Sequence, residues 1–100
     1  MKELARELII PDDVAEFVRR MHPYLKKKIK ASLKIIISDP GSGKTLRDEL
    51  TCLRSFRVSS FRIIYRISTN KIIEIVAIGP RERIYEETFR LLKKSMDMKG

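Results

Sequence analysis

Several chemistries lack their residues in this chain of 100 amino acids. It has one cysteine, Cys52, which excludes a disulfide framework and a cysteine metal site. It has one histidine, His22, so no histidine-based triad or metal cluster can be assembled around a second imidazole. No pair of carboxylates is spaced for general acid–base work. No run approaches the roughly 20 apolar residues that a membrane-spanning helix needs. Met1–Arg6 lacks the apolar core of a signal sequence. Surface binding to a membrane calls for a basic amphipathic helix with exposed aromatics, and the most basic helical stretch here offers only Tyr24. A cytosolic setting is the simplest expectation. Acids are missing over one long interval, with none between Glu16 and Asp39.

What is present is positive charge. Lys and Arg number 22 against 13 acids, giving a net charge of +9 and a pI near 10.0. Such a charge selects partners rather than a fold: RNA, DNA, an anionic membrane or an acidic protein. Apolar residues at 43% and charged residues at 35% describe a soluble globular chain rather than a disordered one. The length fits a single domain over residues 1–100, in which a core can form without staples.

Leu4–Ile10 ends in a short apolar run and reads as a first strand. Pro11-Asp12-Asp13 then starts a helix, with acids at the positive end of its dipole. Val14, Phe17, Val18 and Met21 recur at helical spacing to about residue 21, and His22-Pro23 breaks the helix. A second helix spans Pro23–Ser38, with Leu25, Ile29, Leu33 and Ile36 as its apolar stripe. Asp39–Lys44 is a turn by composition, and Thr45–Leu53 reads as irregular with a helical turn. From Ser55 the period becomes two: Phe56 and Val58 alternate with Ser55 and Arg57, then Phe61, Ile63, Tyr65 and Ile67 alternate with Arg62, Ile64 and Arg66. This is the pattern of half-buried antiparallel strands joined at Ser59-Ser60. Thr69-Asn70 is a second turn. Lys71–Ile78 is apolar on both faces and reads as a strand covered on both sides. Glu82–Lys94 is a last helix, with Ile84, Thr88, Leu91 and Leu92 available for packing. The order β-α-α-β-β-β-α places the chain in the α+β class.

Five features compete as sites. Gly41-Ser42-Gly43-Lys44-Thr45 resembles the end of a phosphate-binding P-loop, but Ser38 stands where the first glycine belongs and a helix precedes it. A solvated turn is the better reading. His22, in an interhelical turn, reads as structural, and Cys52 as half-buried rather than nucleophilic. Lys26, Lys27, Lys28, Lys30 and Lys34 crowd one helix. Lys26–Lys30 and Lys30–Lys34 are like-charge i,i+4 pairs that cost stability, which favours phosphate contacts over a plain solvated face. The arginines are the strongest feature. With the turn at Ser59-Ser60, Arg57 and Arg62 are cross-strand neighbours on one face, an arrangement that destabilises a sheet unless an anion lies between them. Arg81 and Arg83 follow the next strand, and Tyr85 comes just after. Ordinary ion pairs with Glu74, Glu82, Glu86 or Glu87 are the competing account.

Four segments carry a resemblance to a known family: KKKIKASLKIIISDP (Lys26–Pro40), KTLRDEL (Lys44–Leu50), SFRVSSFRIIYR (Ser55–Arg66) and IGPRERIY (Ile78–Tyr85). Over about residues 4–92 the chain resembles the RelE/ParE superfamily, the toxin halves of type II toxin–antitoxin modules. The resemblance implies a small twisted antiparallel sheet with two N-terminal helices packed on it and a C-terminal helix, which fits the order above.

RelE-like members cleave messenger RNA in the ribosomal A site, with a ribose 2′-OH attacking the adjacent phosphate and no metal or other cofactor. Carried over by position, the resemblance implies Arg62 at the phosphate, Arg81 stabilising the transition state, Tyr85 stacking on a base or relaying a proton, and Arg57 in the same site. Ser55 and Arg57 stand where the best-studied sites carry lysines. ParE-like members instead poison DNA gyrase through protein contacts, and a non-catalytic RNA-binding remnant is a further alternative. The Arg62, Arg81 and Tyr85 set favours the ribosome-dependent ribonuclease. The expected partners are a cognate antitoxin in a hetero-oligomer, messenger RNA and the ribosome, with Lys26, Lys27, Lys28, Lys30, Lys34 and Arg83 on the RNA side and no membrane.

Overall fold

A computed structural model describes residues 7–46, 52–68, 72–81, 83, 84, 86, 88 and 90. In chain order the elements are β1 (Glu7–Ile9), α1 (Asp12–Arg19), α2 (Pro23–Ser38), a 3-10 turn (Pro40–Ser42), β2 (Lys44–Thr45), β3 (Arg54–Val58), β4 (Phe61–Ile67) and β5 (Ile72–Pro80). Residues 84, 86, 88 and 90 are helical. The Thr69-Asn70 turn, Tyr85, Leu91, Leu92 and the end of the last helix lie outside the described residues.

The five strands form one sheet in the order β1-β5-β4-β3-β2. It is mixed rather than wholly antiparallel, because β1 runs parallel to β5. That departure from the sequence expectation is possible because α1, α2 and the other strands separate β1 from β5 along the chain, which gives it room to return in the same direction. Lys44–Thr45, expected as part of a turn and an irregular stretch, instead pairs with β3 as a short edge strand.

Both helices start where their local chemistry dictates. Asp12 and Asp13 occupy the first turn of α1. In α2, Pro23 takes the first turn, where its missing N–H costs nothing, and the His22 Nδ1 accepts a hydrogen bond from the Tyr24 N–H at 3.2 Å. His22 is thus the cap of α2, the structural role its place before proline suggests. Among the α1 residues of helical spacing, Val14 is buried. Phe17 is not a core residue: it is 41% exposed and meets the ring of Phe61 at 6.4 Å.

The sheet has a core on each face. Against the helices lie Val58, Ile63, Tyr65, Ile73, Ile75 and Ile78, which pack with Val14, Ile29, Leu33 and Ile36. On the opposite face Ile64 and Ala77 pack with Leu53 and Ile84. Fully burying an isoleucine contributes about 1.5–3 kcal/mol, so these few side chains dominate the stability. Helix-face residues on β5 are odd-numbered up to Ile75 and even-numbered from Ile78. The change coincides with a register shift, in which Ile64 faces Ala77 while Tyr65 faces Ile75 and Val76 is the extra residue. The segment is apolar on both faces because both are covered, as its sequence suggested: Ile73, Ile75 and Ile78 face one core and Val76 and Ala77 the other.

The loop of Pro40–Gly43 is held from below. The Tyr65 hydroxyl is buried, donates to the Pro40 carbonyl at 2.7 Å and accepts from the Gly43 N–H at 2.9 Å. Arg54 Nη1 donates to the Gly43 carbonyl at 2.9 Å. Burial raises the Tyr65 pKa above its ordinary 10.0, partly opposed by the Gly43 hydrogen bond. With its amide turned inward to a phenol, Gly43 offers nothing to a phosphate, which agrees with setting aside a P-loop, but the segment is not simply a solvated turn: Gly43 is buried and Lys44–Thr45 pairs as a strand.

Candidate functional site

The hairpin β3–β4 builds the site. Its register sets Arg57 directly opposite Arg62 and Val58 opposite Phe61, leaving Ser59-Ser60 as a two-residue turn. Phe56 and Val58 turn to the helix-side core, so Ser55 and Arg57 turn to the other face, and in β4 Arg62 joins them there. The opposition expected from the sequence is therefore present. Ser55 is buried and its Oγ accepts from Arg62 Nη1 at 3.4 Å. A serine that cannot serve as a cation thus holds one in place.

Arg81 reaches the same end of the sheet. Gly79 pairs with Arg62 and Pro80 with Phe61, and the next residue closes the ladder, its N–H donating to the Ser60 carbonyl at 2.9 Å. Arg57, Ser59, Ser60 and Arg81 then line a cleft of about 430 Å³. Arg57 and Arg81 are exposed and Arg62 is half-buried.

Two of the four carboxylates of the competing account are paired elsewhere. Glu74 is bound by Arg66 at 2.6 Å and Glu86 by Arg90 at 2.7 Å. Among the described residues no carboxylate lies within salt-bridge distance of Arg57 or Arg81. Glu82 and Glu87 lie outside those residues. The cleft can therefore attract an anion through two exposed guanidiniums with a third behind them. Its lining contains no imidazole, carboxylate, amine or phenol, so among the described residues it has charge for a phosphate and no group that exchanges protons near neutral pH. Tyr85, the phenol expected here, is outside them.

The other cations are not gathered into this cleft. Lys26 and Lys30 border an apolar groove between α1 and α2, floored by Ile10, Val18 and Leu33, on the helix side of the sheet. Lys28 stands 4.6 Å from the ring centre of Tyr24, which is 65% exposed. Lys27 and Lys34 are exposed. Arg83 joins neither set: it borders a separate cleft of about 440 Å³ with Asp13, Phe17, Phe61 and Pro80. Cys52 is exposed rather than half-buried, its neighbour Leu53 taking the core position. The turn serines are the cleft residues that sequence reasoning did not single out. The available signal was serine at a tight-turn position usually given to glycine or asparagine.

Among the described residues no helix is long and apolar enough to cross a membrane. The fold is that of RelE toxins. The chain is similar to the RelBE2 toxin–antitoxin complex of Mycobacterium tuberculosis, with TM-score 0.68 and 20% identity over 80% of this chain and 95% of that one. It is similar to a free-state mutant of the Escherichia coli toxin RelE, with TM-score 0.68 and 14% identity over 87% and 93%. A third similar structure is the archaeal RelE–RelB complex of Pyrococcus horikoshii, with TM-score 0.65 and 20% identity over 81% and 99%. No curated protein matches the sequence. The model of the ParE toxin of type II toxin–antitoxin systems, parDE, matches residues 9–85, more than half of the chain, and the chain belongs to that family.

Proposed function

We propose that this type II toxin is a ribosome-dependent endoribonuclease that cleaves messenger RNA. The observation that carries the reading is the pairing of Arg57 with Arg62 and the tether that brings Arg81 beside them, with Arg57 and Arg81 exposed and no described carboxylate to neutralise them. Like charges placed directly across a ladder cost stability, and a bound phosphate reverses that cost. In the proposed reaction the ribose 2′-OH attacks the neighbouring phosphorus. The bond to the 5′-oxygen breaks, and a cyclic 2′,3′-phosphate and a free 5′-hydroxyl remain. Arg57, Arg62 and Arg81 hold the added negative charge of the pentavalent phosphate, usually the largest single contribution to such a step. Tyr85 is proposed to stack on a base or relay a proton. The lysines of α2 contact ribosomal RNA from the other side of the sheet.

As a type II toxin the chain has a cognate antitoxin as its partner. An acidic segment of that antitoxin covers Arg57, Arg62 and Arg81 in the resting state.

Two observations favour a second reading. The described cleft has no proton carrier, and the matching family is named for parDE. Both fit a toxin that acts on gyrase by protein contacts, with the arginines as a binding surface. Mapping messenger RNA ends in a purified translation system, with Arg81→Ala as control, separates the two. A-site cuts that vanish in the variant support the ribonuclease. Intact messenger RNA together with inhibited gyrase supercoiling supports the gyrase reading and refutes the first.

A further inference from the structure

Ser59 has φ of +57°, the only positive φ at a non-glycine among the described residues, whereas no described glycine has one. A two-residue hairpin turn with one left-handed position takes glycine there because a side chain is strained in that region. The chain has placed a serine in this position, and strain kept at a cleft is a reason to look for a task. The turn is also fixed: its Ser60 carbonyl is bonded to the Arg81 N–H, and Arg57 and Arg62 flank its strands. Ser59 is exposed, lines the cleft between Arg57 and Arg81, and its hydroxyl has no hydrogen-bond partner among the described residues.

We infer that Ser59 is a substrate-contact residue, whose hydroxyl donates to a phosphate oxygen of an RNA strand held by Arg57 and Arg81. The inference rests on the RNA reading of the arginine cleft and adds a neutral donor to it. The two guanidiniums attract and grip a phosphate through charged hydrogen bonds; a short hydroxyl on a fixed turn adds a donor to an oxygen between them. Such a contact releases no counterion, so it changes affinity without changing the dependence on salt.

The test uses the full chain and a fluorescein-labelled single-stranded RNA. Anisotropy titrations are run over a series of salt concentrations for wild type, Ser59→Ala, Ser59→Gly and Arg81→Ala, with a thermal melt of each. A hydrogen bond from a hydroxyl to a charged phosphate corresponds to about a ten- to hundredfold loss of affinity. Ser59→Ala and Ser59→Gly are expected to bind RNA more weakly by that factor, with the wild-type salt slope. Ser59→Gly is expected to melt no lower than wild type, since glycine relieves the turn. Arg81→Ala is expected to weaken binding and reduce the salt slope by about 1. If both Ser59 variants bind like wild type while Arg81→Ala is weakened, the serine assignment is overturned and the arginine cleft stands. If Ser59→Gly loses melting temperature and affinity together, Ser59 is a structural residue and the assignment fails. If Arg81→Ala binds like wild type, the RNA reading of the cleft fails and the serine assignment falls with it.

Discussion

Tyr65→Phe removes one oxygen atom and two hydrogen bonds. The ring stays in the helix-side core, so no cavity of consequence opens. The buried Gly43 N–H loses its acceptor at 2.9 Å, and the Pro40 carbonyl of a buried residue loses its donor at 2.7 Å. Each bond is worth about 1 kcal/mol net, and each buried partner left unmet costs about 1–3 kcal/mol. Some relief comes from water reaching the loop, which sets the expected loss at about 2–4 kcal/mol. For a domain of this size that is roughly 10–25 °C in melting temperature. Urea denaturation followed by circular dichroism gives the free energy directly, with an unchanged slope showing that only stability has moved. A loss below about 0.5 kcal/mol refutes the idea that this phenol clamps the Pro40–Gly43 loop. The pH dependence supplies a second reading of the same group. Burial raises the pKa of Tyr65 in the folded chain, so its stabilisation is complete below the unfolded value of 10.0 and is lost as pH rises above it. Wild type should therefore lose stability above pH 10 more steeply than Tyr65→Phe.

Gly43→Ala should cost about 1–3 kcal/mol, because a Cβ there comes within 2.8 Å of Tyr65 Cε1 and 2.9 Å of Cζ, and the ring is fixed. Gly41→Ala, which meets only Asp39 at 3.9 Å, should be neutral in the same denaturation experiment. Arg57→Gln should raise the stability of the free protein by a few tenths of a kcal/mol at low salt, an advantage that fades as salt is added, while reducing the salt slope of RNA binding by about 1. Unchanged stability across salt would show that Arg57 and Arg62 do not repel one another. Changing Lys26, Lys27, Lys28 and Lys30 together to Glu should abolish co-sedimentation with ribosomes, and unchanged co-sedimentation would return α2 to a plain solvated face.

Much of the fold was legible because it is local. Pro23 and the break before it set one end of α2, the apolar stripe at Leu25, Ile29, Leu33 and Ile36 set its buried side, and period-two alternation around Ser59-Ser60 set the hairpin register that opposes Arg57 and Arg62. What could not be read depends on partners distant in sequence. The parallel pairing of β1 with β5 joins residues about 65 positions apart, and nothing in Glu7–Ile9 states the direction of its neighbour. Phe17 follows helical spacing yet emerges at the rim, 41% exposed, where among the described residues it meets the ring of Phe61. The arginine cluster was legible at the hairpin, where a turn fixes geometry. It was less so at Arg81, whose place depends on the Ser60 carbonyl. The separation of the lysine helix from the arginine cleft needed the three-dimensional sheet, since sequence order does not say which side of a sheet an element covers.

The extra residue at Val76 has a consequence for how this protein can vary. Along β5 each position alternates between the two sides of the sheet, so the side on which Arg81 emerges is a matter of parity counted from Ile73. The bulge resets that count once, between Ile75 and Ala77. An unbroken strand of the same length would turn Ile78 away from the helices and send Arg81 toward them. Length changes in this stretch are therefore quantised: adding two residues preserves the outlet of the cation, whereas adding one reverses it unless a second bulge forms. The location of the arginine cleft is encoded partly in residue count and not only in residue type.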